Sequence, residues 1–204
     1  MSHWSVVVPV KGGPLAKSRL RPPAGVDRLM LARALALDTV AAAASAVGLD
    51  GVVVVTSDAE VDASMRALSV ATTPDPGSGL NDAALEGLRR AQPPYAVLLG
   101  DVPALRSREL TTALAAAAKY DSAFVPDAEG TGSVLLTATR QGRLEPRFGG
   151  PSASRHTDAG HTRLDLDLPG LRRDVDDEAS LREALCLGVG SHTAALLAHL
   201  VTLD

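Results

Sequence analysis

The chain has 204 residues, a formal net charge of −4, 46% hydrophobic residues and only 2% aromatic ones. That length fits one domain over residues 1–204, with a core of Ala, Leu and Val. Composition excludes several classes: no basic run suits nucleic acid, no apolar stretch of about 20 residues lacks a charge as a membrane span requires, and the single Cys186 rules out an internal disulfide.

Apolar runs of strand length alternate with segments of helical period. Val6–Val10 reads as a strand, followed by a loop that holds two of the three lysines, Lys11 and Lys17. A long helix is expected over Asp27–Val47. Val52–Thr56 is a second strand, Ser57-Asp58 a cap pair, and Ala59–Ala67 a short helix. Leu68–Thr72 reads as a third strand. Breaker residues mark Pro74–Gly79 as loop, and a helix follows from about Asn81 to Ala91. Tyr95–Leu99 is a strand ending at Gly100-Asp101-Val102-Pro103. Ser107–Ala117 reads as a helix with Ser107 as its cap, Ser122–Val125 as a strand, and Gly130–Ala138 as a strand opening on a Gly-Thr-Gly turn. Residues 147–161 read as loop and a short helix. Asp177–Leu187 and Ser191–Leu203 close the chain as helices, with Asp177 as a cap. Cys186 lies in an apolar helix stripe, which suggests core packing. No basic region precedes an apolar run near the N-terminus, so no signal peptide is expected and a cytoplasmic location is.

Continuous rather than alternating strands separated by helices imply an α/β fold, with a mostly parallel sheet covered on both faces. Ligands in such sheets bind beyond the carboxyl ends of the strands. Lys11 and Lys17 follow the first strand there, and Asp101 follows the fourth. The loop fails as a P-loop, because Lys11 and Ala16 stand where that motif needs glycines. It is either a solvated basic turn or a cradle for a polyphosphate. Asp101 either caps a turn or holds Mg²⁺ against phosphate oxygens. Asp174 and Asp176 lie two apart, on one face if extended, and form a candidate metal pair with Asp101. Asp165 and Asp167 compete for that role. Asn81, after Gly79 and Leu80, either caps the helix or reads a purine edge. Ser152 could cap a helix that meets an anion. The five histidines lack metal spacing and read as structural or surface residues.

Taken in order, Val-Pro-Val-Lys, Ala-Lys-Ser-Arg-Leu, Gly-Leu-Asn, Gly-Asp-Val-Pro-Ala-Leu, Gly-Thr-Gly, Phe-Gly-x-x-Ser-x-x-Arg-His and Arg-Arg-Asp-Val-Asp resemble the CofC/FbiD family of phospholactate or phosphoenolpyruvate guanylyltransferases. The resemblance runs from Val6 to about Leu185. It implies a Rossmann-like three-layer α/β/α sandwich of the nucleotide-diphospho-sugar transferase type. It implies transfer of GMP from GTP to a three-carbon phospho-acid with release of pyrophosphate, in deazaflavin coenzyme biosynthesis. On the matching positions, Asp101, Asp174 and Asp176 hold Mg²⁺, and Lys17 and Asp101 are catalytic. Thr131, Gly149 and Ser152 contact the phospho-acid, with Ser133 as an alternative to Thr131. Lys11, Lys17, Gly79, Leu80 and Asn81 lie on the GTP side. Phosphoenolpyruvate is the favoured acceptor, with 2-phospho-L-lactate or 3-phosphoglycerate as alternatives. A nucleotide-binding regulatory module is the non-enzymatic one. Oligomeric state stays open, a homodimer being one option.

Overall fold

The computed structural model describes residues 3–12 and 20–201. Strand β1 (Ser5–Val10) leads to helix α1 (Arg28–Val47), β2 (Val52–Thr56), α2 (Ala59–Ala67), β3 (Ala71–Thr73) and α3 (Leu80–Leu88). Then come β4 (Tyr95–Leu98), α4 (Ser107–Ala117), β5 (Ser122–Pro126), β6 (Ser133–Ala138) and α5 (Ser152–Asp158). The chain closes with β7 (Thr162–Arg163), α6 (Pro169–Arg172), α7 (Glu178–Leu187) and α8 (Ser191–Val201).

The seven strands form one sheet in the order β3-β2-β1-β4-β6-β5-β7. All pairings are parallel except those of β6, which runs antiparallel to β4 and β5. Alternation along β1 sorts the two faces. Val6, Val8 and Val10 pack with residues of α1, α2 and α4, whereas Val7 packs with residues of α3 and α5. The result is the expected three-layer sandwich. Gly87 in α3 allows that close packing: a Cβ there would lie 2.2 Å from Val7 Cγ1.

Helix α1 is long and apolar enough to cross a membrane by length and composition alone. In the fold it lies against β1, β2, α4 and α8, which bury Leu31, Leu35, Val40 and Ala43 as in a core helix. Its N-terminus is capped by Asp27, whose side chain accepts from the amides of Leu29 and Met30. Asp38, buried inside the same helix, accepts from His192 and Thr193 N–H at 2.9 Å each. It thereby caps α8 from a distant part of the chain.

Several local expectations shift. The third strand is Ala71–Thr73, because Leu68 and Ser69 close α2 in a turn in which Ser69 takes a positive φ. Ser107 is the first residue of α4 and not its cap; Glu109 instead accepts the Arg106 N–H at 3.0 Å and the Gly170 N–H at 2.9 Å. Gly130–Gly132 form a turn outside β6. Cys186 is exposed on α7 and lines a groove of about 480 Å³ with Asp167, Arg182 and Glu183.

Candidate active site

The strand order reverses between β1 and β4, and a cleft at such a switch point is the usual ligand site of an open α/β sheet. Lys11 leaves the end of β1 exposed to solvent. Asp101 leaves the end of β4 half-buried, with its Oδ1 sealed from solvent. Gly100 allows the two ends to meet, since a Cβ there would stand 2.6 Å from the Pro9 carbonyl oxygen. On the other side, Gly12 lies against Asp58, where a Cβ would stand 2.8 Å from the Asp58 Cβ. Asp58 caps α2 through the amides of Glu60 and Val61 and pairs with Arg33 Nε at 3.0 Å. Burial pushes the Asp58 carboxyl up, but Arg33 and the two amides outweigh it and hold the group below the usual carboxylate range. Lys17 falls outside the described residues, as does the Ala16–Arg19 stretch.

The segment carrying Asp174 and Asp176 comes to Asp101 through its main chain. Val175 N–H donates to the Asp101 carbonyl at 3.0 Å. The Val175 side chain is fully buried with Leu31, Leu35 and Leu181. Its neighbours are thereby left at the surface side, Asp174 half-buried and Asp176 exposed. The turn after Asp101 is pinned to α1, because Val102 N–H donates to Thr39 Oγ1 at 2.9 Å. Asp165 instead follows the edge strand β7 and pairs with Arg163 at 2.8 Å, while Asp167 lines the outer groove. The fold thus brings the main chain between Asp174 and Asp176 to Asp101, while Asp165 and Asp167 lie at the sheet edge and the outer groove.

Among the described residues no three His, Cys, Asp or Glu side chains form a ready-made metal cage. Asp101, Asp174 and Asp176 carry oxygen donors, the ligand type that Mg²⁺ takes. That ion is usually held by one or two carboxylates together with substrate phosphates and water, and not by an all-protein cage.

The remaining candidates gather on the same rim, in the loops after β5 and before α5. Asp127 organises the first. Its carboxylate accepts from Thr131 N–H at 2.9 Å and Gly132 N–H at 2.7 Å, and its carbonyl accepts from Arg172. Thr131 is exposed, and its carbonyl accepts from Ala153 N–H at 3.0 Å, which ties this loop to the first turn of α5. Gly149 and Gly150 are exposed with φ of 91° and 51°. Ser152 is buried as the first residue of α5, and the cap position is Pro151, so Ser152 does not cap. Asn81 does not cap α3, whose cap position is Gly79; it is half-buried and hydrogen-bonded to the main chain of Phe148.

Residues 28–161 match the family model of the MobA-like NTP transferase domain. The chain is 53% identical to a phosphoenolpyruvate guanylyltransferase of Geodermatophilus obscurus, over 95% of this chain and 94% of that one. It is 46% identical to one of Streptomyces coelicolor, over 98% of both. The chain belongs to the phosphoenolpyruvate guanylyltransferase family of MobA-like NTP transferases. Solved structures of the same fold include a nucleotide-diphospho-sugar transferase of Desulfovibrio desulfuricans G20 (19% identity, TM-score 0.59, covering 92% of this chain and 97% of that one). Another is Rv0371c of Mycobacterium tuberculosis, solved as a complex with manganese (17% identity, TM-score 0.59, covering 90% and 98%).

In this guanylyltransferase the buried histidine is structural, as its spacing suggested. His156 is fully buried; its Nε2 accepts the Arg147 N–H at 3.0 Å, which leaves its proton on Nδ1, 2.9 Å from Ser133 Oγ. Burial, then the charges of His161, Arg155 and Arg147, lower its pKa to about 4. Ser133 is buried on that bond, so Thr131 is the exposed hydroxyl of the pair. Asp127 escaped sequence reading. Its one local signal was an aspartate placed before Gly130 and Gly132, as in a side-chain-closed turn.

Proposed function

We propose that the chain transfers GMP from GTP to phosphoenolpyruvate, giving enolpyruvyl-diphospho-guanosine and pyrophosphate, as a step in deazaflavin coenzyme biosynthesis. The observation that supports this is that both sets of candidate residues lie on one rim of the sheet. Lys11 and Asp101 face the switch point, and Thr131 and Gly149–Ser152 are joined beside it by the Ala153–Thr131 hydrogen bond. The names of the curated relatives supply the nucleotide and the acceptor.

The phosphate oxygen of the acceptor attacks the α-phosphorus of GTP. The bond from that phosphorus to the bridging oxygen breaks, and pyrophosphate leaves with the electron pair. The nucleophile is already anionic near neutral pH, so the chain needs no general base. His156 fits that economy: it is neutral, and both ring nitrogens are engaged. Lys11 and Lys17 neutralise charge on the departing pyrophosphate. Thr131, Gly149 and Ser152 hold the phospho-acid in line. Asp101, with Asp174 and Asp176, would hold Mg²⁺, which when bound supplies positive charge to the reacting phosphate oxygens.

The test is a pyrophosphate-release assay over GTP, ATP and CTP, each with phosphoenolpyruvate, 2-phospho-L-lactate and 3-phosphoglycerate. GTP with phosphoenolpyruvate is expected to be fastest. Release with no pair would refute catalysis and leave a nucleotide-binding module. Asp101→Asn should lower turnover by about 10²–10³-fold with the fold intact; near-normal turnover would remove Asp101 from the site.

A further inference from the structure

Asn81 stands in the first turn of α3, directly after the Gly79-Leu80 pair on the nucleotide side. Its carboxamide is turned toward the acceptor loop. Oδ1 accepts the Phe148 N–H at 2.7 Å, and Nδ2 donates to the Phe148 carbonyl at 3.3 Å. The side chain thus pairs with a whole residue's main chain, which engages its acceptor and one of its donors. One Nδ2–H and one Oδ1 lone pair are left for any other partner, and their direction is fixed by the two bonds to Phe148.

The loop needs such an anchor. After the buried Phe148 come Gly149 and Gly150, both with positive φ, and glycine carries little conformational preference that would hold a path by itself. Its course is set where other parts of the chain grip it. His156 takes the Arg147 amide, Asn81 takes both polar groups of Phe148, and Ser152 N–H returns to the Gly150 carbonyl at 2.8 Å. Of these grips, Asn81 alone reaches across from the helix that begins on the nucleotide side.

We infer that Asn81 is a positioning residue for the acceptor loop Phe148–Ser152, and not a reader of the nucleotide base. This rests on the guanylyltransferase assignment above for its substrates. Through Asn81 the start of α3 and the acceptor loop move as one piece, so the acceptor's position relative to the nucleotide is set by this amide pair.

The experiment compares wild type with Asn81→Ala in two ways. Steady-state kinetics with GTP and phosphoenolpyruvate should show KM for phosphoenolpyruvate raised about tenfold, the factor carried by a pair of hydrogen bonds of ordinary net strength, with KM for GTP changed less than about twofold. A rise confined to KM for GTP would overturn the inference in favour of base reading. Unchanged kinetics with only a lower melting temperature would overturn it in favour of a structural role. Amide hydrogen exchange needs no activity. The Phe148 amide should exchange about tenfold faster in the variant, with β1 and β4 amides unaltered as the control for folding. Unchanged protection at Phe148 would overturn the inference even if wild type proved inactive with these substrates, an outcome that would by itself refute only the substrate assignment.

Discussion

Acidification should loosen the fold through His156 before the carboxyls of Asp58, Asp62 and Asp177 take up protons. In the native state its pKa is about 4, against 6.5 for an unhindered imidazole. The unfolded chain therefore binds a proton at this residue between those values and the folded chain does not. Stability is fully present above pH 6.5 and falls as pH drops toward 4. At about 1.4 kcal/mol for each pH unit over which one proton is taken up, the interval amounts to roughly 3 kcal/mol. His161, lowered by burial too, adds in the same direction. Asp58, Asp62 and Asp177 are held below the carboxylate value of 3.8, so their contributions are lost only below that value. The assay is urea unfolding at several pH values from 7 to 4, followed by the fluorescence of Trp4, the single, buried tryptophan. His156→Gln keeps a neutral acceptor and donor without a titrating ring, so its stability should vary less steeply with pH. Equal pH slopes for the two proteins would refute the placement of His156 as a buried neutral group.

Two more perturbations follow from close contacts. Asp38→Ala removes the carboxylate that caps α8 and leaves two amides without it; a loss of about 2–3 kcal/mol is expected, or roughly 5–10 °C in melting temperature, and an unchanged melt would show that α8 is held by other means. Gly100→Ala sets a Cβ against the Pro9 carbonyl and drives the ends of β1 and β4 apart; catalytic efficiency should fall by about a hundredfold, whereas near-normal efficiency would mean that the spacing of Lys11 and Asp101 is not critical.

Much of this protein is local and was open to the sequence. Runs such as Val52–Val55 are too apolar for anything but a doubly covered strand, and β2, α2 and α4 begin and end where their patterns do. Asp58 and Asp177 cap the helices that follow them, since an N-cap depends only on residues two or three positions away. The motifs led to the right family because each is a short local stretch and all of them occur in order along the chain. What the sequence left open depended on distance along the chain. The segment of Asp174 and Asp176 meets Asp101 because Val175 is buried by α1 and α7 and its N–H bonds to the Asp101 carbonyl over 70 residues earlier, which no local pattern encodes. Antiparallel β6 sits between β4 and β5 by a choice of partner, not of propensity. Cys186 faces solvent although its helix stripe looks apolar, because burial is set by what the neighbouring elements cover. Asn81 carries the same lesson: its type and place suggested a cap or a base reader, and its hydrogen bonds to a residue 67 positions away are encoded by no local pattern.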